Sequence, residues 1–319
     1  MGFARHIRFV RLLRAFVHAV AASAFAAPAF APQLSHAQAS NPAPASVVLV
    51  SSHDTAAYAE AVAGIRQAMA PSGIPLRYVQ PNASGQFPAL SGPLSGWTAV
   101  AVGSGAVEAV RRNGLYERSF VCMVLDTGGR PGVKLVHAPE LRINWMRRAV
   151  PGARTVGVLY DRVGPRGEID ALEQAAKRAG LAFRAHPVDL AYPLAAQIAP
   201  LANAVDVLLG TYDLRIYSED TAQVLLLFSY QNRIPLLGLS DAWVRAGALF
   251  SLDWNYHDIG RQCGERVLEA IRNPGGARSG AAAVDTPRQV VYSINRKAAS
   301  YFRIELGSDL VRGARRVFD

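Results

Sequence analysis

The chain has 319 residues, 50% hydrophobic and only 18% charged, which is enough apolar material for a sizeable core and about two domains, and too little charge for wholesale disorder. The formal net charge is +10, yet the arginines and lysines are scattered and lack interleaved aromatics, so no nucleic-acid partner is expected.

The first forty residues differ in kind. MGFARHIRFVRLLR carries Arg5, Arg8, Arg11 and Arg14 and no acid. AFVHAVAASAFAA follows, uncharged and too short to span a bilayer, and then the small-residue patterns Ser35-His36-Ala37 and Ala37-Gln38-Ala39. This is the order of a secretory signal peptide. Residues 1–39 therefore read as a signal peptide and 40–45 as a linker. No cysteine lies near the cleavage patterns to carry a lipid. The expectation is an exported, periplasmic protein with no stable membrane insertion after cleavage.

From Ser46 onward, short β-branched runs alternate with helical patterns. SVVLV reads as a fully buried strand and TAAYAEAVAGIRQAM as the helix after it. LRYV, WTAVAV and FVCMVL are further strands, with a Gly/Pro/Ser-rich loop at 80–96 and GSGAVEAVRR as a helix; VKLVHA is a short edge strand. PELRINWMRRAVPGA is a helix stopped by Pro151 and Gly152. A second cycle opens at TVGVLYD, and its helix PRGEIDALEQAAKRAG has acids early, bases late and Gly180 as its stop. LAFRAHPV, a helix around LAAQIAPLA, the strand VDVLLG, the helix SEDTAQVLLLFSYQNR capped by Ser218, and the strand PLLGL complete it. Such alternation predicts an α/β fold: two Rossmann-like lobes with parallel sheets, each about a hundred residues long. They meet at a Pro/Gly break over 149–154, with a ligand cleft between them.

In parallel α/β sheets, ligands gather at the carboxyl ends of strands, where helix N-termini also point. The sequence places Ser51 to Asp54 there, then Gly103 to Gly105, Asp126 and Thr127, Tyr160 and Asp161, Thr211 to Asp213, Ser240 and Asp241, and Asp253 with Trp254 and Tyr256. Each alone fits a helix cap or turn. Together they combine short hydroxyls, acids and rings, which suits a small ligand with an amine or several donors, while the amides at Gly103–Gly105 suit a carboxylate. The candidate ligand residues are Asp54, Ser104, Asp126, Thr127, Tyr160, Thr211, Tyr212, Asp213, Ser240, Asp241 and Asp253.

Enzyme signatures are missing. There is no GxxxxGK[ST], HExxH or GxSxG, GSGAVEA carries only part of a dinucleotide fingerprint, and the seven histidines lack zinc spacing. No catalytic residue, cofactor or metal is expected. His53-Asp54 is the one fragment of a catalytic pair, and a lone His beside a helix start reads better as structural. Cys122 in FVCMVL and Cys263 in IGRQCGERVLEAI read as inert core thiols rather than as a disulfide or a racemase-type pair.

VPGARTVGVLYD, then GTYDLRIYSEDTAQVLLLFSYQNRIPLLGLSDAWVRAGALFSLDWNYHDIGRQCGERVLEAI, then VDTPRQVVYSINRKAASYFRIEL carry a family likeness. These stretches resemble substrate-binding proteins of ABC transporters, in the group with tryptophan/tyrosine-type binding proteins and the type I periplasmic-binding fold. The resemblance is strong over about Pro151 to Leu306, and most specific in VRAGAL with DIGRQ and in TPRQVVYSIN. It implies that the chain crosses between lobes more than once. Residues 46–138 with 251–283 would form the N-terminal lobe, and 139–250 with 284–319 the C-terminal lobe. ALFSL and the DIGRQ helix would return to the first lobe and VVYSIN to the second. Family contacts map onto the Asp126–Thr127 loop, Thr211, Tyr212, Asp213, Ser240 and Asp241. One departure is visible: only TGGRPGVKLVHAPE stands where the family has a longer segment, so a shortened first lobe is expected.

The functional expectation is an exported solute-binding protein without catalytic activity. It would capture an amino-acid-like small molecule for an inner-membrane ABC permease. A ligand-sensing envelope module that no longer transports is the alternative, and an α/β envelope enzyme resting on His53-Asp54 comes third.

Overall fold

The structure, a computed structural model, describes residues 45–82, 86–88, 96–273 and 284–319. The expected signal peptide and most of the linker lie outside the described residues. In chain order the elements are β1 Ser46–Ser51, α1 Ala56–Met69, β2 Leu76–Val79, β3 Trp97–Val102, α2 Ser104–Arg112, β4 Ser119–Val124, β5 Gly132–Lys134, α3 Pro139–Ala149, β6 Thr155–Asp161, α4 Gly167–Arg178, β7 Ala182–Val188, α5 Leu194–Ile198, β8 Val207–Leu209, α6 Glu219–Asn232, β9 Leu236–Gly238, α7 Asp241–Ala246, β10 Phe250–Trp254, α8 Tyr256–Arg272, β11 Val284–Asp285, β12 Val290–Asn295, α9 Arg296–Phe302, α10 Ser308–Arg312 and β13 Arg316–Phe318.

Two sheets result. The first runs β11-β5-β4-β3-β1-β2 and the second β13-β12-β10-β9-β8-β6-β7. All pairings are parallel except β10 with β12. Strand alternation explains why SVVLV is apolar throughout: Val47 and Leu49 face α1 and α8, while Val48 and Val50 face α2. In the second lobe Val156 and Val158 face α3 and α4, while Leu159 and Leu208 face α5 and α6.

The helices α1 and α8 touch backbone to backbone. A Cβ on Gly260 would lie 1.9 Å from the Ala61 carbonyl oxygen, and one on Gly64 would lie 2.0 Å from that of His257. This approach is open only to glycine.

The return between β4 and β5 is short. Parallel neighbours usually need a crossover of a dozen or more residues. Here residues 125–131 make the return with no helix. Gly128 and Gly129 turn the chain at positive φ, and Gly132 re-enters at φ 152°, where a Cβ would sit 1.8 Å from the Val121 carbonyl oxygen. Met123, at φ 61°, marks a bulge where the β4–β5 register shifts.

The chain passes between the lobes three times, at 135–138, at Asn255 and at 286–289. The second passage lies later than the resemblance implied. ALFSL was expected in the first lobe, but Phe250 and Ser251 pair with Leu237 and Gly238, and β10 runs antiparallel to β12 in the second sheet. Only residues 247–249 separate α7 from β10, and the Ala248 and Leu249 amides donate to the Trp243 and Leu236 carbonyls. The chain has no length to leave the sheet there. The expected boundary at 251 therefore moves to Asn255, and Val284–Asp285 joins the first sheet beside β5. VVYSIN lies in the second sheet and the DIGRQ helix packs on the first.

Candidate ligand site between the lobes

Both sheets direct the carboxyl ends of their central strands toward the passages. Tyr212, just beyond β8, reaches from the second lobe to the first passage. Its hydroxyl accepts from the His137 main-chain N–H at 3.1 Å and lies 2.9 Å from His137 Nδ1. Because the phenol oxygen already accepts one proton, its own proton is free for Nδ1, which leaves Nε2 as the protonated nitrogen of the neutral ring. Burial, reinforced by the Arg142 charge, lowers the His137 pKa to about 4, so the ring is neutral at ordinary pH.

Aromatic rings close around this bond. His137 and Trp254 stack with centroids 5.5 Å apart and planes 9° from parallel. Tyr212 and Tyr256 lie 6.1 and 6.3 Å from Trp254. Trp254 belongs to the first-lobe core, with Tyr212 and Tyr256 packed against it. His137 Nε2 and Trp254 Nε1 are both buried without a hydrogen-bond partner. The Asp253 main chain raises the His137 pKa slightly, yet no acceptor meets hydrogen-bonding geometry at Nε2. Two buried donors left open in adjacent rings are costly, and native proteins seldom keep such groups without reason.

Beneath the rings lies a charge pair with a buried arginine and a half-buried carboxylate. Arg142 on α3 is 4% exposed and bonds Glu168 on α4 at 2.5 Å and the Gly210 carbonyl. Its guanidinium lies 4.6 Å from the Tyr212 ring centroid, and the Glu168 carboxylate accepts the Tyr212 main-chain N–H at 3.1 Å. Arg142, Tyr212, Leu239, Phe250 and Leu252 line a cavity of about 20 Å³, room for about one water.

Of the eleven candidate ligand residues only Tyr212 stands in this seam, joined by Trp254 and Tyr256, which the sequence set beside Asp253. Asp54 and Ser104 are exposed at the first-lobe edge. Asp126 is also exposed, and its carboxylate accepts the Gly128 amide at 2.9 Å to shape its own turn. Thr127 is buried in that turn. The Tyr160 hydroxyl accepts from Arg166 at 2.6 Å. Thr211 is fully buried and donates to the Leu159 carbonyl at 3.2 Å. Asp213 accepts the Asp161 amide at 3.2 Å, and Arg215 pairs with both acids. Ser240 begins α7, and Asp241 pairs with Arg316 at 2.6 Å. Asp253 pairs with Arg315 at 3.6 Å, and burial raises its pKa. So the structure draws Asp241 and Asp253 to the start of β13, where their charges reach Tyr256 at the edge of the ring cluster, and Asp213 to Asp161. The Gly103 amide donates to the Cys122 carbonyl at 2.8 Å, and the Ala106 amide to Ser52 Oγ at 2.8 Å. That part of the expected carboxylate nest is already occupied by protein.

Residues 131–318 match the family described as ABC transporter substrate binding protein. The chain belongs to that family. No curated protein matches it. Among solved structures, this substrate-binding protein is similar to a ligand-free, open substrate-binding protein with adhesive properties from Clostridium difficile. The two are 15% identical with a TM-score of 0.65, covering 86% of this chain and 99% of that one. It is also similar to an ABC domain from Streptococcus pneumoniae in complex with L-Trp and to a conserved domain protein from Vibrio cholerae. Each is 16% identical with a TM-score of 0.55, covering 86% of this chain and all of the other. These likenesses establish the fold, two α/β lobes of the type I periplasmic-binding kind. No described helix of the substrate-binding protein is long and apolar enough to cross a membrane, and the described residues hold no His/Cys/Asp/Glu group suited to a metal.

Proposed function

We propose that this protein is exported through its N-terminal signal, stays in the periplasm, and captures an amino-acid-like small molecule between its lobes for an inner-membrane ABC permease. The observation that carries this reading is the ring seam at the lobe junction, with open N–H groups on His137 and Trp254. Such a place favours a ligand with a planar apolar part, which stacks, and a carboxylate or carbonyl, which accepts from the two donors. The passages at 135–138, Asn255 and 286–289 act as the hinge. A ligand touching both lobes stabilises the closed form, because only that form offers all of its contacts. No group in the seam is called on for catalysis.

The test is thermal unfolding of the purified protein against a panel of amino acids and related carboxylates. A bound ligand at one hundred times its Kd would add about 2.7 kcal/mol. A rise in melting temperature for one class, lost in Trp254→Ala, is the expected result. If no compound in the panel raises the melting temperature, capture of this ligand class is wrong.

A further inference from the structure

We propose that Cys122 and Cys263 join as a disulfide when the chain folds in an oxidising compartment. Cys122 lies on β4 and Cys263 on α8, which packs across that strand in the first-lobe core. Val121 faces α2, so strand alternation turns Cys122 toward α8. Both side chains are wholly buried and share one apolar cluster with Val102, Val133, Ile259 and Val267. Cys263 is the main influence that raises the Cys122 pKa, in keeping with two side chains that face each other within one cluster. The free thiols must close to about 2.05 Å to bond. The bulge at Met123, next along β4, is the place where the strand can absorb that approach.

The chemistry is thiol–disulfide exchange with a small-molecule or protein disulfide as oxidant. One cysteine thiolate attacks a sulfur of the oxidant, forming a mixed disulfide and releasing one thiolate. The second cysteine thiolate then displaces the other half of the oxidant. The cysteines lose two protons and two electrons, and the oxidant leaves as two thiols. The hydrogen bond from Cys263, with burial, raises the Cys122 pKa well above its ordinary value. The folded Cys122 thiol is therefore a poor nucleophile, and the bond forms before α8 closes over β4. It would close a loop over 122–263 that holds the first two passages and most of the second lobe, clamping both roots of that lobe in the first-lobe core.

The inference rests on the proposed export only for the compartment, and the test separates the two. The purified protein is refolded from denaturant with oxidised glutathione, and its thiols are counted with a maleimide after denaturation, with and without prior reduction. The expected count is none before reduction and two after it, with a lower melting temperature for the reduced form. Two free thiols in a natively refolded chain would overturn the bond. The same count on protein recovered from cells addresses export alone: a bond formed in vitro with free thiols in vivo upholds the bond and removes the export reading.

Discussion

Replacing Gly132 by alanine tests how the short return between β4 and β5 is built. The new Cβ would stand 1.8 Å from the Val121 carbonyl oxygen, so β4 and β5 must part by at least about an ångström. The residue must also keep φ at 152°, where an L side chain costs about 1–3 kcal/mol. Two bonds that tie β5 to β4 would stretch, Val121 N–H to Pro131 O at 2.9 Å and Leu135 N–H to Val124 O at 2.7 Å. Each is worth about 0.5–1.5 kcal/mol. The combined loss is about 2–6 kcal/mol. Gly129→Ala is the control: it also has positive φ, but no atom lies within 4 Å of its new Cβ, so it should cost about 1–2 kcal/mol. Urea unfolding followed by far-ultraviolet circular dichroism compares the two midpoints. Equal losses at both positions would show that close contact with β4 is not what requires glycine at 132.

Gly260→Ala normally gains helix propensity, but here it forces α8 from α1, and a net loss of about 1–3 kcal/mol is expected in the same assay. Arg142→Met leaves the half-buried Glu168 and the Gly210 carbonyl without their partner and should cost about 1–3 kcal/mol, with the near-ultraviolet signal of the Tyr212–Trp254 cluster altered at once. His137 gives a pH dependence with a defined sign. Its folded pKa, about 4, lies below its ordinary 6.5, so the unfolded chain binds the proton first as pH falls. Its contribution is whole above pH 6.5 and falls by about 1.4 kcal/mol per unit down to about pH 4. Stability measured between those limits should slope less in His137→Gln than in the unaltered protein; an unchanged slope would place the ring in solvent.

The strands and helices were legible because their apolar periods are strong. SVVLV, WTAVAV and TVGVLYD are parallel strands, and Ser218 heads α6 with Thr221 Oγ1 accepting its amide at 3.1 Å. The position of the second passage was not legible, because an apolar strand carries no mark of which sheet it joins. The short link at 247–249 settled it. The site was harder still. Tyr212 stood out at a strand end, but His137 looked like the tail of an edge strand and Arg142 was one arginine among many scattered ones. Their meaning comes from partners far along the chain, Tyr212 for the first and Glu168 for the second. The one missed signal within reach was Gly260-x-x-x-Gly264, whose spacing places two bare positions on one helix face.

The second passage is a single residue. Trp254 ends β10, Tyr256 begins α8, and Asn255 alone stands between them. Its side chain is held at both ends, accepting the Asp258 amide at 3.0 Å and donating to Gln289 of the third passage at 2.8 Å. In the proposed closure a change in the angle between the lobes draws on its two backbone torsions together with the four-residue links at 135–138 and 286–289. Asn255 is thus the axle of that proposed closure: one residue long and tied to the third passage, it holds the two lobes close at that point.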